Sequence, residues 1–297
     1  MTDLAARTPV NAEPLRRWLA AHALPGAERY DPATGVHTRV VPAPDGPVVV
    51  SVDLGPDARA RTVRVLTAGA SGGGDPSAAV LATVGRWLDL DADTDAVEDA
   101  LAASPRLAPL VAARPGLRVP RTVDGAETAL LTVLGQQVSL AAARTFGGRL
   151  VAAFGRPVAD GLTAFPRPAV LAAAGPDALR ATTGVTGARA LALHTLAAAL
   201  ADGLDLDAAA LAAAAGDPDA ARRAHRDLLA LRGIGPWTAD YVALRVLGDS
   251  DAFLGSDLVL RRALGGIAAR EATASAEPWR PWRGYALLHL WTDAVFA

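Results

Sequence analysis

One carboxylate in the C-terminal third of the chain stands in a setting that suits catalysis. Asp257 follows a Gly255-Ser256 turn and directly precedes a run that predicts a helix. An aspartate at such a position is usually the N-cap of its helix. It can also stabilise positive charge that develops during a reaction, or activate a water molecule. Position alone leaves both interpretations open.

A glycine-rich turn upstream predicts a contact with an anion. The segment Leu231-Arg232-Gly233-Ile234-Gly235-Pro236-Trp237 indicates a tight hairpin between two helices, with Ile234 in the core. The two glycines allow positive φ and a close approach of backbone N–H groups to a ligand. Pro236 begins the second helix, whose N-terminal dipole suits a phosphate. A Gly-x-Gly turn alone favours an ordinary corner in a helical bundle.

Two large aromatic residues follow the hairpin on one face of the second helix. Trp237 and Tyr241 are four residues apart, so their side chains share a face. Each aromatic residue taken singly is most often part of a core. The order of hairpin, aromatic pair and Asp257 favours a catalytic site over a plain helix corner.

The elements that must position these residues fall into two classes. Alternating apolar residues and Gly, Pro and Asp turns predict a small α+β domain with an antiparallel sheet in residues 1–100. Its predicted elements are strands 38–41, 47–52 and 61–66, a closing turn at 71–76 and helices 13–22 and 77–88, with Asp75 or Ser77 as the second helix's cap.

From about residue 101 onward, apolar residues recur at helical spacing between Pro, Gly and Asp. The fold class predicted is α+β: an N-terminal antiparallel-sheet domain, then an all-α bundle in two subdomains, residues 125–249 and residues 101–124 plus 250–297. The helices expected are 123–134, 140–154, 168–174, 188–202, 207–215, 218–230, 236–247, 258–264 and 282–293.

The amino-acid composition excludes several classes of protein. A hydrophobic content of 51% without a long uninterrupted apolar run argues for a globular protein and against a membrane protein. The absence of cysteine excludes disulfides, thiolate zinc sites and iron–sulfur clusters. All 29 basic residues are arginine, so no lysine amine is present to form a Schiff base. The acidic N-terminus is unlike a secretory signal, which predicts a cytoplasmic protein.

The net charge and the histidines indicate less about function than the absence of cysteine and lysine does. The formal net charge is −2, although residues 101–200 carry 10 arginines against 4 acids. A basic middle part is compatible with nucleic-acid binding. The histidines lack metal-ligand spacing and are expected to be incidental. They are His22, His37, His194, His225 and His289.

Several segments together resemble the AlkA family of 3-methyladenine DNA glycosylases II, within the helix-hairpin-helix DNA glycosylases. Besides the hairpin and Asp257, the resemblance is carried by 114–120 (RPGLRVP), 134–139 (LGQQVS) and 279–291 (WRPWRGYALLHLW). The match covers most of residues 101–297. The resemblance implies a monofunctional glycosylase that removes alkylated bases such as 3-methyladenine and 7-methylguanine from duplex DNA, acting as a monomer.

Roles of individual residues follow from this resemblance alone. Asp257 would be the catalytic carboxylate, and the base pocket would be formed by Trp237, Tyr241, Trp291 and Leu258. The DNA contacts implied are Gly233, Ile234, Gly235, Gln136 and Gln137, with Gln137 as the wedge where better-known members carry leucine. No cofactor is required, although carbonyls of Gly233 and Gly235 could hold a monovalent cation.

Two other classes of protein are alternatives. Helix-hairpin-helix elements also occur as non-catalytic DNA-binding modules, which would bind DNA without turnover. A helical scaffold would instead use its aromatic residues only for packing. Asp257 and the three aromatic residues at positions 237, 241 and 291 favour the enzyme, because a DNA-binding module does not need them. The absence of lysine excludes strand cleavage through a lysine Schiff base.

Overall fold

The computed structural model describes residues 1–55, 60–68 and 76–296. The predicted turn at 71–76 falls almost wholly outside these residues. The order of elements confirms the α+β class, with a sheet first and helices after it. In the described part of the chain, no helix has the length and apolar character needed to span a bilayer.

The N-terminal part is a five-stranded antiparallel sheet with the order β1-β5-β4-β3-β2. Valines from the central strands pack against one face of two helices, and this forms a separate apolar core. The strands are β1 (Thr2–Val10), β2 (Glu28–Tyr30), β3 (His37–Val41), β4 (Val48–Asp53) and β5 (Ala60–Ala68), and the helices are α1 (Ala12–His22) and α2 (Ala78–Trp87). Ser77, not Asp75, caps α2, since its hydroxyl accepts from the amide of Val80.

The sequence prediction missed the edge strand β1. Pro9 lies inside it, and its pairing with β5 changes register between Ala5 and Val10. Proline is tolerated on an edge strand because one side of that strand needs no ladder hydrogen bond. The strand forms through a partner distant in sequence, a contact that local patterning does not report.

The remainder is helical and surrounds a second, larger apolar core. Its helices are α3 (Thr94–Ala102), α4 (Ala108–Ala113), α5 (Gly125–Leu134), α6 (Leu140–Phe154), α7 (Pro168–Thr183), α8 (Gly187–Ala201), α9 (Leu206–Ala214), α10 (Pro218–Ala230), α11 (Pro236–Arg245), α12 (Leu258–Ala263), α13 (Ala269–Ser275) and α14 (Arg283–Phe296). A two-strand pairing, β6 (Arg156–Pro157) with β7 (Thr163–Ala164), and a 3₁₀ turn (Glu277–Trp279) complete it.

Two features of the helical part depart from the prediction. Helices α3, α4 and α13 were not predicted, because each is short. The helix expected at 168–174 is the first half of α7, which bends at Gly175 (φ 76°, ψ 163°) before Pro176 and then continues. The domain limits at residues 100, 124 and 249 stay a prediction. Trp18 packs into the helical core and Val123 into the sheet's core, so packing crosses the limit at residue 100 in both directions.

Candidate active site

A cavity of about 350 Å³ lies where α1 of the sheet domain meets α5, α11 and α14 of the helical part. We call it the aromatic cavity. The lining residues that matter below are Trp18, His22, Glu28, Arg39, Glu127, Trp237, Tyr241, Arg245, Asp257 and Trp291. A larger open groove of about 1070 Å³ elsewhere on the protein contains neither Asp257 nor any of these aromatic residues.

Asp257 is the N-cap of α12 and lines the aromatic cavity at the same time. Its Oδ1 accepts from the backbone amide of Leu260 at 2.8 Å. Gly255 makes the preceding turn possible, because a Cβ there would lie 2.1 Å from Oγ1 of Thr273. Asp257 can therefore cap α12 and line the cavity at the same time. The cap hydrogen bond fixes the direction of its carboxylate.

Two indole rings from different helices bind the carboxylate of Asp257. Nε1 of Trp237 on α11 donates to Oδ2 at 3.0 Å, and Nε1 of Trp291 on α14 donates to Oδ1 at 3.0 Å. Among the described residues, no arginine or histidine lies within ion-pair distance of this carboxylate. Its negative charge is therefore oriented by neutral donors and is not neutralised by a cation.

The three aromatic residues predicted for the pocket do come together. The ring centroids of Trp237 and Tyr241 are 5.6 Å apart in a stacked arrangement, and those of Tyr241 and Trp291 are 6.2 Å apart. The structure does not bring Leu258 to this group. The side chain of Leu258 is 61% exposed, because it follows the cap residue on the outer face of α12, and Val259 lines the cavity instead.

Three of the lining residues that the sequence prediction missed lie against the aromatic group. Trp18 and His22 reach it from α1 of the sheet domain, where Trp18 stacks 6.5 Å from Trp291 and His22 stacks 4.0 Å from Trp18. No local pattern connects α1 to α14, so these two had no signal. Arg245 had one, since it follows Tyr241 by four residues and shares its face of α11.

His22 stays neutral at the back of the cavity. Burial and the positive charge of Arg245 lower the pKa of its imidazole from 6.5 to about 4. Its Nδ1 lies 2.8 Å from the carbonyl of Trp18, so Nδ1 carries the hydrogen and donates to that carbonyl. The ring therefore contributes a stacking surface and no charge near neutral pH.

A buried ionic cluster closes the cavity between the sheet and α5. The guanidinium of Arg39 lies 2.6 Å from Glu127 and 3.2 Å from Glu28, and Nε2 of His37 lies 3.0 Å from Glu28. Burial raises the pKa of Glu127 to about 7. Burial also opposes ionisation of Glu28, but Arg39 and His37 together outweigh it and the pKa of Glu28 is lowered. The charges of this cluster largely compensate one another.

The hairpin has the predicted shape, but only one of its glycines needs to be glycine for backbone reasons. Gly233 has φ +90°, and a Cβ there would lie 2.4 Å from Cβ of Ala192. Gly235 has φ −98°, and its absent Cβ would meet nothing within 4 Å. The positive φ expected at both glycines is therefore wrong for Gly235. Ile234 is buried, as predicted, and the open space at Gly235 leaves the start of α11 accessible.

The carbonyls expected to hold a cation already accept hydrogen bonds. The carbonyl of Gly235 accepts from the amide of Ala239 at 3.1 Å, and that of Gly233 accepts from Nε2 of Gln136 at 3.1 Å. Each carbonyl oxygen keeps one free lone pair for a cation. Two such oxygens alone are a weak set of ligands for a cation site. A monovalent cation at the hairpin stays a prediction.

The loop between α5 and α6 carries the two predicted glutamines with different environments. Gln137 is exposed at the tip of the loop with φ +56°. Gln136 points inward, and its amide nitrogen also donates to Oγ1 of Thr238 at 2.9 Å. The amide group of Gln136 therefore connects this loop to the hairpin, and only Gln137 presents its side chain outward.

Comparisons with known proteins agree with this geometry. Residues 1–124 match the model of the AlkA N-terminal domain, and residues 130–280 match that of the HhH-GPD superfamily of base excision DNA repair proteins. The chain is 44% identical over 300 residues to a "probable bifunctional transcriptional activator/DNA repair enzyme AlkA" of Mycobacterium tuberculosis. That match covers 97% of this chain and 56% of the relative, so the chain spans little more than half of that protein's length.

Two further relatives are similar over different extents. DNA-3-methyladenine glycosylase 2 of Escherichia coli is 38% identical over 225 residues, which is 74% of each chain. The solved structure of a 3-methyladenine DNA glycosylase from Archaeoglobus fulgidus has a TM-score of 0.79 at 20% identity and covers 100% of this chain and 99% of that one. Sequence and fold lead to the same assignment: the chain belongs to the HhH-GPD superfamily of base excision DNA repair proteins and carries an AlkA-type N-terminal domain.

Proposed function

We propose that this protein is a monofunctional DNA glycosylase that hydrolyses the N-glycosidic bond of alkylated bases, such as 3-methyladenine and 7-methylguanine, in duplex DNA. The observation that carries the proposal is the carboxylate of Asp257, which two indole N–H groups hold at the wall of an aromatic cavity. A DNA-binding clamp or a scaffold has no use for this arrangement.

The cavity supplies the two features that the reaction needs, an aromatic surface for the extruded base and a carboxylate for the sugar. A base inside a duplex must be extruded before its glycosidic bond can be reached, and stacked aromatic faces repay part of that cost. The sugar develops positive charge as the base departs. A carboxylate without a cationic partner is suited to stabilise that charge and to orient or deprotonate the attacking water.

The hairpin and the neighbouring loop support a duplex as the partner. The first turn of α11 starts at the exposed Pro236 beside the open space of Gly235, which suits a phosphate. Gln137 at the tip of the α5–α6 loop is exposed, as expected of a residue that fills the gap left by an extruded base. The chain contains no lysine, so we expect base release without strand cleavage through a lysine Schiff base.

Release of free base from methylated duplex DNA tests the proposal through the Asp257→Asn variant. Asparagine caps helices about as well as aspartate, so α12 should be retained while the charge is lost. We expect the rate of base release to fall about 1000-fold, with binding to an abasic-site analogue retained.

Asp205→Asn is a matched control, because Asp205 also caps a helix, with its Oδ1 2.8 Å from the amide of Ala208, but lies outside the aromatic cavity. We expect its rate to equal that of the wild type. If the wild type binds DNA but releases no base, the proposal is wrong and the protein is a non-catalytic DNA-binding module.

A further inference from the structure

Arg245 is a buried cation in the wall of the aromatic cavity with an unusual set of partners. Its side chain is 8% exposed, and it donates to the carbonyls of Pro120 and Arg121 and to the hydroxyl oxygen of Tyr241 at 2.7 Å. Among the described residues, no carboxylate lies within ion-pair distance of it. Of the other arginines that line the cavity, Arg39 and Arg121 each have a carboxylate partner, whereas Arg144 donates to the carbonyl of Ala23.

The charge of Arg245 lies directly against the aromatic surfaces. Its Cζ is 5.0 Å from the ring centroid of Trp18 and 5.5 Å from that of Tyr241. A built-in cation therefore already occupies part of the electron-rich faces that would attract a positively charged base. Burial is the main cause of the lowered pKa of His22, and the charge of Arg245 lowers it further.

The aromatic group thus connects two opposite charges. Asp257 binds Trp237 at one end, Trp237 stacks on Tyr241, and Tyr241 binds Arg245 at the other end. Because the hydroxyl oxygen of Tyr241 accepts from Arg245, its own hydrogen is free to donate to an acceptor atom in the cavity. The cavity offers negative charge near Asp257 and, near Arg245, positive charge with a hydrogen-bond donor.

From this polarity we propose that Arg245 is a specificity-determining residue that favours removal of neutral lesion bases, such as a deaminated purine, by stabilising the base as it leaves. This inference rests on the proposed glycosylase function. When the C1′–N9 bond breaks, both electrons go to the base, so a neutral purine leaves as an anion and an N-alkylated purinium leaves as a neutral molecule. Water adds to C1′, and the proton that it releases balances the one that the departed anion takes up.

The two kinds of base respond differently to a fixed positive charge. For a neutral base, negative charge appears only as the bond breaks, so Arg245 stabilises the transition state more than the bound substrate. For a cationic base, Arg245 opposes binding but also favours the loss of charge from the base. These two effects offset each other, so the ratio of the two excision rates reports on Arg245.

The test compares hypoxanthine and 7-methylguanine in otherwise identical duplexes under single-turnover conditions. Arg245→Met retains length and removes the charge. We expect its rate with hypoxanthine to fall about tenfold relative to its rate with 7-methylguanine, as an interaction with a charge several ångströms away would give. Arg245→Lys keeps the charge although it loses the planar guanidinium, so it is the control for charge, with a ratio within about threefold of the wild type even if both rates fall.

The outcomes separate this inference from the proposed function. An equal fall with both bases in Arg245→Met means a merely structural role and overturns the inference, while a wild type that releases neither base overturns the glycosylase itself. If Arg245→Met does not fold, Tyr241→Phe keeps the ring and removes the hydroxyl. A selective loss of hypoxanthine excision in that variant supports the inference, and an unchanged ratio contradicts it.

Discussion

Two parts of the wall of the aromatic cavity hold charge in opposite ways. In one part, the carboxylate of Asp257 is held by two indole N–H groups and a backbone amide, with no cation among the described residues. In another part, Glu28 and Glu127 share Arg39 in a buried cluster between the sheet and α5. A charge meant to act on a substrate must stay uncompensated, whereas charges that join two parts of a fold must be paired. The difference separates residues proposed for chemistry from residues that stabilise the wall.

The cluster around Arg39 offers the largest expected effect on stability. Arg39→Met leaves two buried carboxyls without their cation, and we expect the free energy of unfolding at pH 8 to fall by about 4 kcal/mol. The loss should be smaller at pH 5, because Glu127, with a pKa already raised to about 7 by burial, is protonated there. Urea unfolding at the two pH values measures both effects.

A double variant sharpens this prediction. Arg39→Met with Glu127→Gln removes one of the two unpaired charges, so part of the lost stability should return and the dependence on pH should weaken. An equal loss of stability relative to the wild type at pH 5 and pH 8 in the single variant would contradict the assignment of this cluster as the source of the effect.

Replacing His22 is expected to have an intermediate effect on the free energy of unfolding, and this effect depends on pH. Its pKa of about 4 in the folded protein lies below the 6.5 of a free imidazole, so the unfolded chain binds a proton first as the pH falls. Its contribution to stability is therefore constant above pH 6.5 and declines between pH 6.5 and 4. His22→Phe keeps a ring stacked on Trp18 and does not titrate.

The measurement is the difference in free energy of unfolding between wild type and His22→Phe as a function of pH. We expect it to move by about 2 kcal/mol in favour of the variant between pH 6.5 and 4. Arg245, Arg144 and Glu28 also act on this ring but are unchanged in the comparison. A difference that is flat over this range would mean that His22 is not held neutral.

Replacing Trp237 is expected to have the smallest effect, and the effect is on activity, because this residue binds the carboxylate of Asp257. Trp237→Phe keeps an aromatic ring beside Tyr241 but removes the N–H that binds Asp257. We expect base release to slow about tenfold, the size of one hydrogen bond to a charged group. The control is Trp279→Phe, which loses an indole hydrogen bond to Ser104 outside the cavity. Equal losses of activity in the two variants would contradict a specific role for the Trp237 N–H.

Much of the fold was predictable from the sequence because the signals are local. The hairpin follows from glycines and a proline within seven residues, and Gly233 is required by its positive φ and by its contact with α8. The separation of a sheet region from a helical region follows from hydrophobic periodicity. The absence of lysine and cysteine is a property of composition, so no folding was needed to exclude a lysine Schiff base or a cysteine-bound iron–sulfur cluster.

The candidate site was predictable only where its residues lie close together in sequence or match a family motif. The sequence brought Asp257, Trp237, Tyr241 and Trp291 together, but it also included Leu258, which the fold turns outward. Trp18 and His22 belong to the wall because α1 packs beside α14, a contact between the two ends of the chain. Only the tertiary structure decided that Arg245 lines the cavity with no carboxylate partner among the described residues, because the partners of a buried charge are determined by packing and not by spacing.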